Sequence, residues 1–109
     1  MKIIVLSKVQ KYLESLRRIL FEKEYFSFED TAQRYVDELF DDIIENLPTR
    51  PKKPAPEYFD KYGKGMYYAV FMKNKHTSWY VFYKIEWKDD EEIYKIRYIG
   101  NNHTVAQHL

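Results

Sequence analysis

Three histidines, one strand arginine and several lysines make up the part of this chain best suited to chemistry at a phosphate. His103 and His108 fall in the closing segment GNNHTVAQHL, together with Asn102. Lys73, Lys75 and His76 cluster in MKNKHT, and Lys95 and Arg97 stand in EIYKIRYIG. These are the residue types that metal-free cleavage of RNA requires. A base removes the proton of a ribose 2′-hydroxyl, cations hold the charge of the phosphorane, and an acid protonates the departing 5′ oxygen. Imidazole suits both proton roles because its unperturbed pKa lies near about 6.5. Lysines in turns and at strand ends also keep a sheet soluble, and Arg97, between apolar neighbours, is equally suited to structural pairing.

Other chemistries find less support. There are no cysteines, which excludes disulfides, thiolate zinc sites and cysteine nucleophiles. His103 and His108 are five apart, a poor spacing for a shared metal, and DDEE at 89–92 lacks the pattern of a calcium loop. The three glycines form no phosphate-cradling loop, and no serine stands in a nucleophile elbow. No cofactor or metal is expected.

A chain of 109 residues with 45% apolar and 32% charged residues is expected to form one domain, 1–109, around a single core. No apolar run reaches the roughly 18 residues of a membrane span, and MKIIVLS is too short for a signal peptide, so the expected location is the cytoplasm. The net charge of +1 hides an asymmetry. Residues 1–47 carry 7 Lys or Arg against 10 Asp or Glu, whereas residues 48–109 carry 11 against 7. An anionic partner is expected for the second half.

The elements that would position these groups follow from periodicity. KIIVL reads as a short strand. Val9, Tyr12, Leu13, Leu16, Ile19 and Leu20 recur at helical spacing over about 8–23, with Ser7 and Gln10 placed for a capping box. Ser27 and Asp30 are placed to cap a second helix bearing Ala32, Tyr35, Val36, Leu39, Phe40, Ile43 and Leu47, which Pro48 ends. After the proline-rich linker PTRPKKPAPEYFDKYGKG come three strand-like segments, MYYAVFMKN, SWYVFYKIEW and EIYKIRYIG, separated by the polar turns KHT and KDDE. Trp79, Val81, Tyr83, Ile85 and Trp87 alternate with Tyr80, Phe82, Lys84 and Glu86, and Tyr94, Ile96 and Tyr98 alternate with Ile93, Lys95, Arg97 and Ile99. The expected fold class is α+β, in the order β-α-α-β-β-β. An antiparallel sheet carries the helical hairpin on one face and leaves a half-polar second face open; the place of the first strand is not fixed by periodicity.

With KIIVLS, the helical hairpin, the proline-containing linker, YVFYKI and IRYIGNNH in this order, the chain resembles the RelE/ParE superfamily, the small toxins of bacterial toxin–antitoxin pairs. The resemblance covers nearly the whole length. It implies that Arg97 or Asn102 lies at a phosphate, that His108 occupies the place where relatives carry a catalytic Tyr or His, and that Lys73 and Lys75 face an RNA backbone. His103, His108 and Arg97 are thus the candidate catalytic residues, with Lys73, Lys75, His76, Lys95 and Asn102 as nucleic-acid contacts. The implied activity is ribosome-dependent mRNA cleavage, and the implied partner a small antitoxin protein. The chain departs from the family pattern in two places: MYYAVF lacks the usual early arginine, and Asn102 stands where many relatives carry Arg. A gyrase-inhibiting member, which binds DNA gyrase without nuclease residues, or an inactive member bound to a partner protein, is the alternative.

Overall fold

The computed structural model describes residues 1–23 and 29–109. The fold is α+β: five strands in one sheet with two long helices packed on one face. The elements are β1 (Lys2–Val5), α1 (Ser7–Glu22), α2 (Glu29–Asn46), β2 (Lys53–Pro54), β3 (Tyr67–Asn74), β4 (Thr77–Lys88), β5 (Glu91–Asn101) and a terminal helical turn, α3 (Asn102–Val105). Short 3-10 segments cover Leu47–Thr49, Glu57–Tyr62 and Ala106–His108.

The helical periods bury what they promise. Val9, Leu13 and Leu16 of α1 and Ala32, Val36, Leu39 and Ile43 of α2 are buried, and all but Ala32 join one apolar cluster with Trp79, Val81, Tyr83, Tyr94, Ile96 and Ile99 of the sheet. Each such side chain contributes roughly 1.5–3 kcal/mol when fully removed from water. The indole N–H of Trp79 does not go unmet, because it donates to the Tyr35 hydroxyl at 2.8 Å.

The start of α1 differs from expectation. Leu6, not Ser7, is the capping residue, and its side chain makes no capping bond. The Leu6 N–H still donates to the Ile96 carbonyl, so strand pairing lasts until the residue before the helix. The Leu6 carbonyl then accepts from Val9 and Gln10, and the expected capping box has no room to form. The cap expected at Ser27 lies outside the described residues.

Sheet order is β1-β5-β4-β3-β2. The first strand therefore lies beside the last one, and parallel to it, with Lys2 opposite Ile93 and Val5 opposite Ile96. All other pairings are antiparallel. Both hairpin turns have two residues. Lys75–His76 joins Asn74 to Thr77, and Asp89–Asp90 joins Lys88 to Glu91 with φ of 51° and 63°, the positive pair that a type I′ turn requires.

Two departures from the expected sheet bear on function. First, the linker supplies β2 and the 3-10 turn Glu57–Tyr62, so the second face is not simply open. Phe59 of that turn packs with Met66, Phe82 and Val105 in a second buried cluster, ringed by Tyr62, Tyr68, Tyr80 and Tyr98. Second, β5 carries a bulge: Tyr83 faces Ile96, but Phe82 faces Tyr98, leaving Arg97 as the extra residue. The alternation Tyr94, Ile96, Tyr98 is broken there. Ile99 joins the helix-side core, and Tyr98 joins the cluster on the other face.

Candidate phosphate-binding cleft

The bulge decides where Arg97 goes. Its guanidinium Nε donates to the Tyr62 carbonyl at 2.6 Å, which leaves the two terminal nitrogens for other partners. Gly63, at φ 148°, is the complement to this arrangement: a β-carbon there would stand 2.7 Å from Arg97 Nε. The absence of a side chain at Gly63 is what lets the 3-10 turn and the arginine approach.

Pairing between β1 and β5 stops at Ile96. Beyond it the edge of β5 faces the first turns of α1, and a cleft of about 340 Å³ opens between them. Lys8 and Tyr12 of α1 form one wall, Tyr62, Arg97 and Tyr98 another, and Asn101 and Thr104 close the end. Among the described residues Lys8 and Arg97 are the charged ones in this lining, and no carboxylate joins them. The rings of Tyr62 and Tyr98 stack at 4.0 Å and 5°. Burial, together with the neighbouring Tyr62, pushes the Tyr98 hydroxyl up to about 12, and burial likewise raises that of Tyr12. At neutral pH these phenols are uncharged, able to donate a hydrogen bond but poor bases.

The remaining sequence candidates are dispersed. His108 lies on the face of the second cluster, its ring stacked on Tyr58 at 3.6 Å and 4°, and the Lys61 ammonium lies 4.1 Å from the centroid of the same Tyr58 ring. His103 is exposed and lines a separate recess with Leu20, Tyr35, Asn74, Thr77 and Trp79. Neither imidazole lines the Arg97 cleft. Lys73 lies over the Tyr35 ring at 5.1 Å and 4.0 Å from Glu38, which ties it to α2. Lys95 bonds Glu86 at 2.8 Å, a pairing that holds the Glu86 carboxyl below its usual range. Lys75 and His76 are exposed at the β3–β4 turn.

Asn102 is a clamp. Its Oδ1 accepts from the Ser78 N–H at 3.1 Å and its Nδ2 donates to the His76 carbonyl at 3.2 Å, fastening the tail to the β3–β4 hairpin. Asn101 beside it caps α3 by accepting from the His103 and Thr104 N–H groups at 3.0 and 3.2 Å. Two adjacent asparagines thus order the segment that carries both histidines. Lys8 and Tyr12 were not among the sequence candidates. The available signal was Lys8 in the first turn of a helix, where the helix dipole favours an acidic residue.

No family model, characterised protein or solved structure matches this chain. Among the described residues no helix is long and apolar enough to cross a membrane, and no three His, Asp or Glu side chains are grouped as metal ligands.

Proposed function

We propose that this chain is a RelE/ParE-like toxin of a toxin–antitoxin pair, acting in the cytoplasm as a metal-independent, ribosome-dependent mRNA endonuclease and held in check by a small antitoxin protein. One observation carries the reading: a strand bulge turns Arg97 into a cleft that, among the described residues, contains a second cation, Lys8, and no carboxylate. A phosphodiester fits that charge, and a guanidinium whose two terminal nitrogens have no partner among the described residues is suited to bridge its non-bridging oxygens. The helical hairpin on one face of the sheet supports the same reading. In the proposed reaction the ribose 2′ oxygen attacks phosphorus and the bond to the 5′ oxygen breaks. Arg97 stabilises the phosphorane, a base takes the 2′-hydroxyl proton and an acid protonates the departing 5′ oxygen; the family resemblance gives these proton roles to His108, which stacks on Tyr58 outside the cleft lining.

The dispersal of His103 and His108 favours a second reading, a non-enzymatic binder of the same fold directed at DNA gyrase or another protein. One experiment separates the two. The chain is induced alone in a bacterial host, and new RNA 5′ ends are mapped for the wild type, Arg97→Ala and His108→Ala. New ends within translated codons, lost in both variants whose melting temperatures stay within about 5 °C, are the expected result. Growth arrest without new ends establishes the binding reading. An absence of both growth arrest and new ends overturns the toxin reading.

A further inference from the structure

The cleft beside Arg97 is more than a pair of cations. About 340 Å³ lies within the roughly 300–1,000 Å³ range of pockets that enclose a small organic ligand, more than one inorganic phosphate needs. Its walls are aromatic on both sides: Tyr12 comes from α1, and Tyr62 and Tyr98, already stacked on each other, come from the opposite wall. Val9 and Ile99 add an apolar floor, while Asn101 and Thr104 bring polar groups to one end. Flat aromatic walls, cations and a few polar groups together select a planar ring joined to an anion.

Lys8 breaks a local rule to be there. A cation in the first turn of a helix opposes the helix dipole, and α1 has no acidic residue in that turn to compensate. Neither Lys8 nor Arg97 is ion-paired among the described residues. Violations of local preference without structural compensation collect at functional sites.

We propose that this cleft is a nucleotide subsite, in which Tyr12 and the Tyr62–Tyr98 pair hold a nucleobase and Lys8 with Arg97 holds its phosphate. Lys8 and Tyr12 are then specificity-determining residues, supplied by the first helix and not by the last strand or the tail. The inference rests on the toxin reading only for the source of the nucleotide, an RNA strand; the chemistry of the subsite is independent of cleavage.

The test is binding of nucleoside 3′-monophosphates to the purified full chain, followed by heteronuclear NMR, with inorganic phosphate and the parent nucleosides as comparisons. Lys8→Ala, Tyr12→Leu and, as a control outside the cleft, Lys88→Ala are titrated in parallel. Saturable shifts at residues 8–12, 62 and 97–104 are expected with the nucleotides. Inorganic phosphate and the nucleosides should each bind about tenfold more weakly or worse, consistent with the typical cost of losing one stacked base or one charged contact. Lys8→Ala and Tyr12→Leu should each weaken nucleotide binding by about tenfold, and Lys88→Ala should leave it unchanged. Equal affinity for inorganic phosphate and nucleotide, or indifference to both cleft substitutions in folded variants, overturns the proposal. Nucleotide binding in a chain that makes no RNA ends sinks the nuclease reading alone. RNA cleavage by a chain that shows no saturable nucleotide shifts at the cleft sinks the subsite alone.

Discussion

Tyr83 buries its hydroxyl with no hydrogen-bond partner among the described residues. The ring is fully buried in the helix-side core, stacked on Tyr94 at 5.4 Å, and burial with the nearby Tyr94, Tyr67 and Glu92 pushes the hydroxyl up to about 12. An unmet buried hydroxyl carries a desolvation cost of about 1–3 kcal/mol. Tyr83→Phe is therefore expected to raise unfolding free energy at pH 7 by about 1 kcal/mol in urea titrations; a loss of stability would mean that the hydroxyl has found a partner. The fold favours the neutral phenol, whose ordinary pKa is 10.0. Its contribution is complete below pH 10 and is lost as pH rises from there to about 12, so Tyr83→Phe should also flatten the alkaline decline. Tyr98, raised to about 12 as well, titrates in the same window and remains in the variant.

Among the elements, the bulge in β5 and the Asn102 clamp do most to shape the site, and neither could be anticipated from periodicity. The helices were legible because Val9, Leu13 and Leu16, then Ala32, Val36, Leu39 and Ile43, repeat at the helical period and are buried on schedule. The hairpins were legible from their polar turns. A bulge leaves composition unchanged, and its trace is only that Ile96 and Ile99, both core residues, stand three apart in a strand. The strand β2 and the turn Glu57–Tyr62 were hidden by the prolines around them, which argue against regular structure although Pro54 sits at an edge where its missing N–H costs nothing. Asn102 was legible in sequence only as a candidate RNA contact, while its long-range backbone partners, 24 and 26 residues away, leave no mark there. Asn102→Ala should release the tail, lower stability by about 1–2 kcal/mol and speed hydrogen exchange at the Ser78 amide by about tenfold. Unchanged protection at Ser78 would show that the clamp does not hold in solution.

For the molecule as a whole, the sheet is a wall shared by two apolar clusters, one under the helices and one under the Glu57–Tyr62 turn and the tail. Composition showed that 109 residues could bury a core, but not that the core would be split by the sheet. The smaller cluster depends on the chain's last residues, since Val105 is fully buried in it and Gly100 lies so close that a β-carbon would meet Val105 at 2.6 Å. Truncation after Asn101 removes Val105 and both Asn102 bonds, a loss of about 2–4 kcal/mol, which should lower the thermal midpoint by about 10 °C or more and create a surface that binds an apolar dye. An unchanged midpoint would mean that the second cluster contributes nothing to stability.

The pairing of the first strand with the last one also sets an order of events during synthesis. While β5 is still inside the ribosome, β1 has no neighbour, α1 has only α2 to lean on, and one side of the cleft does not exist. Lys8 is synthesised 89 residues before Arg97, and the two share a cleft only once β5 has emerged and paired with β1. A nascent polypeptide that still lacks β5 therefore carries only part of the cleft lining, Lys8, Val9 and Tyr12 without Arg97 and Tyr98.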